Sequence, residues 1–107
     1  MSTDAVPPFS LAVVERDGTT VVTAGGEVDV ASAPELERCL VGLIDAGTPV
    51  VLQMADVTFM DSSGLRGLVT ARQRAEKSSV SFTLDSRSQV VDRLLQVTGL
   101  DGIFGSV

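Results

Sequence analysis

Phe59-Met60-Asp61-Ser62-Ser63-Gly64-Leu65-Arg66 carries an apolar run into a small hydroxyl cluster and then into helical spacing, with Leu65, Leu68 and Val69 on one face. The stretch reads as a strand that ends where a helix begins. A serine at such a junction sits on a helix N-terminus, where backbone N–H groups lack intrahelical partners and the dipole is positive, so the position suits a phosphate. Ser62 is therefore a candidate for a reversible phosphoserine switch, and a plain N-cap is the competing reading. Ser63 competes for the same donors, so the cap can be one serine and the phosphoacceptor the other.

Upstream, Val50 to Met54 is an apolar run interrupted by Gln53, as expected of a central strand covered by helices on at least one face. A short loop through Asp56 is expected to lead from it to Phe59. Before that strand, Ser32-Ala33-Pro34-Glu35 resembles a capping box: Ser32 accepts from a first-turn N–H, Glu35 reaches back, and Pro34 is tolerated in the first turn. Leu36, Leu40, Leu43 and Ile44 follow at helical spacing, and Gly47 with Pro49 supplies the stop. Two β-rich runs open the chain, Ser10 to Glu15 and Thr19 to Thr23, with Asp17-Gly18 between them suited to a tight antiparallel hairpin. Gly25-Gly26-Glu27-Val28-Asp29 is expected to leave the second strand, being flexible and acidic.

Downstream, the helix after Ser62 places Leu65, Leu68 and Val69 inward, and Arg72, Arg74 and Lys77 read as a solvated end favourable to the dipole. Val80, Phe82 and Leu84 alternate like a half-buried strand. Ser88 to Thr98 places Val91, Leu94 and Leu95 on one helical face before Gly99, and Ile103-Phe104 is expected to form a short last strand. The order of two strands, helix, strand, helix, strand and helix implies parallel pairing across the helical crossovers. The fold class is thus α/β, a single small domain in which a mixed β-sheet packs with helices, spanning 9–107 behind a flexible tail over 1–8.

Composition narrows the function. With 107 residues and a formal net charge of −6, the chain is one domain that would repel a polyanion at long range, which argues against DNA or RNA as partner. Its four aromatics, Phe9, Phe59, Phe82 and Phe104, all lie in apolar runs, leaving few platforms for base stacking. Cys39 is the single cysteine, which excludes an intramolecular disulfide and a paired-cysteine redox or zinc site. It lies beside the leucine stripe, as a small core residue would. Residues 1–8 contain no basic residue and no apolar run, so neither a signal peptide nor a membrane anchor is expected there, and the cytoplasm is the expected location. A hydrolase reading of Ser62 lacks its base: there is no histidine, and the single lysine, Lys77, lies about four turns further along the same helix.

Two motifs together resemble the STAS domain family, and within it the bacterial anti-sigma factor antagonists. Gly26-Glu27-Val28-Asp29 is similar to the family's Gly-Glu-apolar-Asp after the second strand. Phe59 to Leu65 is similar to its Asp-Ser-(Ser/Thr)-Gly phosphorylation motif, and the segment ending in Thr98-Gly99-Leu100 is similar to its closing segment. The resemblance implies a non-enzymatic regulator without cofactor or metal. Unphosphorylated, it binds an anti-sigma factor serine kinase and frees the sigma factor. Phosphorylation of Ser62, with Ser63 as the alternative, reverses this, and a PP2C-type phosphatase restores the active form. Partner contacts are expected from Asp29, Glu27, Asp61, Ser63, Gly64 and Arg66, with Asp29 near the phosphorylation site. The other role that the family offers is a scaffold or adaptor module of a lipid-transport or stress-sensing complex.

Two departures accompany the resemblance. Many members continue into a further C-terminal helix that this sequence does not suggest, which would leave Ile103-Phe104-Gly105 as a surface for a partner. Arg66 replaces the family's usual small residue. One turn after Ser62, it is expected to pair with the phosphate or with an acidic patch on the kinase, unless it is an ordinary solvated arginine.

Overall fold

A computed structural model of the chain describes residues 8–104, so the expected tail over 1–8 and Gly105 fall almost wholly outside the described residues. Strands β1 (Ser10–Arg16) and β2 (Thr19–Val28) form the antiparallel hairpin. Asp17 and Gly18 between them both take positive φ, 55° and 82°, as a two-residue turn matched to strand twist requires. Helix α1 (Ala33–Asp45), strand β3 (Val50–Met60), helix α2 (Ser62–Ser78), strand β4 (Phe82–Arg87) and helix α3 (Gln89–Val97) follow.

The sheet order is β1-β2-β3-β4, with β2-β3 and β3-β4 parallel. Both crossovers advance one strand in the same direction, so right-handed connection places α1 and α2 on one face of the sheet. There they pack closely: a Cβ on Gly67 of α2 would lie 3.5 Å from the Glu37 Cβ of α1. The core forms between that face and the helices, joining Val22, Val50, Leu52 and Met54 to Leu36, Leu40, Ile44, Leu68, Val91 and Leu95, all buried. Each such leucine or isoleucine contributes about 1.5–3 kcal/mol relative to exposure. On the opposite face Val21, Thr23, Val51 and Gln53 are only half-buried. One face of the sheet therefore carries the helices.

Several local expectations are corrected. β2 does not stop before Gly25; it runs to Val28 because Gly25 and Gly26 pair with Asp56 and Val57 of β3, with register shifts on either side. Glycine suits both positions: Gly26 has φ 79°, and a Cβ on Gly25 would crowd Ser10 Oγ at 2.9 Å and Asp56 Cβ at 3.3 Å. Asp56 likewise belongs to β3, which continues to Met60; the shift leaves Ala55 and Asp56 both exposed and breaks the alternation that a strand reading relies on. The buried residues of α2 are Gly64, Gly67, Leu68, Ala71 and Ala75, whereas Leu65 and Val69 are half-buried. Small residues allow its close approach to α1. Ile103-Phe104 forms a turn: the Ile103 carbonyl accepts from Arg72 Nε at 3.1 Å and that of Phe104 from Arg87 Nη2 at 2.9 Å, so side chains satisfy groups that a strand would have paired. Arg74 is also engaged, bonding Asp45 at the end of α1.

Candidate functional site

β3 and α2 meet at a single residue. Asp61 is the N-cap of α2, extended at φ −112° and ψ −170°, and its Oδ1 accepts from the N–H of Ser63 at 2.8 Å and of Gly64 at 3.4 Å. The cap is thus a carboxylate, contrary to the expectation that a serine would fill it. A carboxylate accepts the same donors and adds a full negative charge at the positive end of the dipole. Ser62 and Ser63 become the first two helical residues, Ser62 exposed and Ser63 half-buried. Among the described residues the Ser62 hydroxyl makes no hydrogen bond.

Gly64 holds this turn against the sheet. A Cβ there would lie 2.6 Å from Met60 Cγ and 2.8 Å from Val28 Cγ1, closer than side chains can approach. The motif's glycine is accounted for by packing. Glu27 pairs with Phe59 and Val28 with Met60, and the Asp61 N–H donates to the Val28 carbonyl at 3.3 Å. Both motifs therefore converge at the carboxyl ends of two parallel strands, where open α/β sheets place their sites.

The second motif ends in a bonded turn. Asp29 Oδ1 accepts from the N–H of Ala31 at 3.0 Å and of Ser32 at 3.1 Å. Ser32 Oγ donates to the Glu27 carbonyl at 2.7 Å and accepts from the Asp29 N–H at 3.0 Å. The expected capping box at Ser32 is consequently absent: Ser32 lies at φ −100° and ψ −24° with no side-chain cap bond, because its hydroxyl is committed to the end of β2. The Ala33 N–H bonds the Asp29 carbonyl at 2.7 Å instead. The backbone N–H of Ser32, then that of Ala31, hold the Asp29 carboxyl below the usual carboxylate range, which keeps it ionised at neutral pH.

Arg66 is exposed and lines a shallow cavity of about 220 Å³ with Val30, Ala33, Pro34, Glu37 and Ser63. Val30 (74% exposed) lines this cavity with Ser63, and Phe59 (45%) is a further exposed apolar side chain near the end of β3. Sequence reasoning singled out neither Val30 nor Glu37 and read Phe59 only as part of an apolar run. The signal for Val30 was its place between Asp29 and Ser32, outside any helical or strand period. Phe59 lies out of phase with the buried Leu52, Met54 and Met60, so plain alternation along β3 puts it on the outer side. A larger depression of about 320 Å³, lined by Asp85, Arg87, Asp92 and Asp101 among others, contains none of the residues of the two motifs. Among the described residues no three His, Cys, Asp or Glu side chains are grouped to hold a metal ion. No helix among them is long and apolar enough to cross a membrane. Cys39 is half-buried, and burial, then the Glu35 charge, push its thiol up, as befits a packing residue.

The arrangement has known counterparts. The family model for the STAS domain matches residues 10–107. The anti-sigma-B factor antagonist of Bacillus subtilis (strain 168) is 35% identical over 91 residues, covering 85% of this chain and 84% of that protein. Among solved structures, an anti-sigma factor antagonist from Mycobacterium paratuberculosis superposes with a TM-score of 0.81 at 30% identity, covering 91% of this chain and 83% of the other. The anti-sigma factor antagonist SpoIIAA in its unphosphorylated form superposes with a TM-score of 0.72 at 25% identity, covering 91% and 84%.

Proposed function

The chain belongs to the STAS domain family, and from that premise we propose that it is an anti-sigma factor antagonist switched by phosphorylation of Ser62. Unphosphorylated, it docks on an anti-sigma factor serine kinase in the cytoplasm and frees the bound sigma factor. Phosphorylated, it lets go, and a PP2C-type phosphatase resets it. It is a regulator whose work is binding; the ATP belongs to the kinase.

The observation that carries this reading is the division of labour at the start of α2. Asp61 supplies the cap, so the exposed Ser62 hydroxyl is spare and can be esterified without unmaking a helix bond. A phosphoryl group adds about −1.5 to −2 charge at pH 7, and the helix end tolerates it. Asp61 and the ionised Asp29 stand on the same end of the sheet, so the surface becomes sharply more negative while the fold persists. Val30 and Phe59 supply apolar contact area that docking would cover. Placing a like charge against such an interface need weaken it by only about 1.4 kcal/mol for each tenfold of affinity.

The test is binding of the anti-sigma kinase encoded in the same genome, measured for wild type and Ser62→Asp. The substitution is expected to weaken binding at least tenfold, about 1.4 kcal/mol, with an unchanged circular dichroism spectrum. Equal affinities would overturn the reading, and capture of a transporter component in place of a kinase would favour the adaptor role.

A further inference from the structure

The phosphorylation reading leaves Arg66 without a task, and its placement supplies one. Ser62 opens α2 and Arg66 follows four residues later. Residues so spaced are neighbours on a helix, with Cβ atoms about 5–6 Å apart, and helical side chains lean toward the N-terminus. The Arg66 side chain thus leans back over the turn that holds Ser62 and Ser63, with which it shares a cavity wall in the case of Ser63. An acid placed N-terminal to a base at this spacing is also the favourable order.

Arg66 is uncommitted, as are Arg16, Arg38 and Arg93 among the described residues, but of these only Arg66 lies in the first turns of α2, whereas three other arginines are engaged. Arg72 bonds Glu76 at 3.1 Å and the Ile103 carbonyl, Arg74 bonds Asp45 at 2.6 Å, and Arg87 bonds Asp92 at 3.4 Å and the Phe104 carbonyl. Arg66 has no ion pair or hydrogen bond among the described residues. The charged groups that surround the Ser62 turn are otherwise acidic: Asp61 at the cap, Glu27 at the end of β2, Asp29 in the loop to α1, and Glu37 on α1 across the same cavity. Arg66 is the one basic residue lining that cavity, so it is the cation within this turn that a phosphate dianion could pair with.

We propose that Arg66 is a phosphate clamp. When Ser62 is phosphorylated, the guanidinium donates charge-assisted hydrogen bonds to the phosphoryl oxygens and holds the group on the chain's own helix. The clamp is non-covalent and rests on the reading of Ser62 as phosphoacceptor. It favours the dianion of the phosphoserine, and it requires a phosphatase to strip the group from Arg66 before hydrolysis, prolonging the off state.

The experiment places phosphoserine at position 62 during synthesis, so that no kinase is needed, and follows its titration by phosphorus NMR in wild type, Arg66→Ala and Arg66→Lys. Loss of the clamp is expected to raise the midpoint in Arg66→Ala by about 0.4 pH unit, about 0.5 kcal/mol, with Arg66→Lys restoring part of the difference. The same variant is expected to lose its phosphate to a PP2C-type phosphatase about twice as fast. Coincident midpoints in folded wild type and Arg66→Ala would overturn the clamp. Failure of the kinase to modify Ser62 bears on the acceptor reading alone, so the two ideas can fail separately.

Discussion

Replacing Asp61 by alanine and by asparagine separates the two jobs that the structure gives this side chain. Its Oδ1 takes one good hydrogen bond, 2.8 Å from the Ser63 N–H, and one long one, 3.4 Å from that of Gly64. An N-cap of this quality contributes about 1 kcal/mol, within a range of about 0.5–2. No other acidic residue occupies the first turn of α2, so Asp61 also supplies that turn's complement to the dipole, about 0.3–1 kcal/mol. Asp61→Ala loses both and is expected to cost about 1.5 kcal/mol, whereas Asp61→Asn keeps an acceptor and loses only the charge. Each kcal/mol shifts the Tm of a domain this size by about 4–8 °C, so the alanine variant should melt about 6–12 °C below wild type and the asparagine variant about 1–8 °C below. Urea melts with a common m-value would check that both unfold in two states. An alanine variant as stable as wild type, or an asparagine variant that falls equally far, would refute the division between cap and charge.

Gly64→Ala should destabilise although alanine is the better helix former: the gain of about 1 kcal/mol in propensity meets contacts of 2.6 and 2.8 Å with Met60 and Val28, and overpacking of that kind costs about 1–3 kcal/mol. A Tm above wild type would show that Met60 yields freely. Asp29 gives a pH signature. Its folded carboxyl lies below the ordinary value, so its contribution is fully present above the unfolded carboxylate value of about 3.9 and disappears as pH falls through the folded one. The stability difference between wild type and Asp29→Asn should therefore be largest near neutral pH and vanish in acid; a difference independent of pH would contradict the bonded, ionised turn.

Much of this fold is legible in the sequence because each helix carries its own punctuation. Asp17-Gly18 demands positive φ, Gly47 and Gly99 end helices, and Leu36, Leu40 and Ile44 recur at helical spacing. The errors cluster where two strands fit together irregularly. Gly25 and Gly26 look like a loop, yet serve as the part of β2 that tolerates shifted register and close backbone approach. That irregularity leaves Ala55 and Asp56 both exposed, while Phe59 is exposed simply because it is out of phase with Leu52, Met54 and Met60. The junction of strand and helix was legible from Asp61-Ser62-Ser63-Gly64, but the allocation of hydrogen bonds within it was not. Asp, Ser and Ser can each cap a helix, and only the three-dimensional path of the chain decides that Asp61 takes the donors, Ser32 turns to the strand end and Ser62 is left free.

Intact mass after incubation with ATP and the cognate anti-sigma kinase, wild type beside Ser62→Ala, addresses the phosphoserine switch most directly. We expect wild type to gain one phosphoryl group and Ser62→Ala to gain none. Modification of Ser62→Ala at Ser63, or no modification of a folded wild-type protein by that kinase, would contradict a switch built on Ser62.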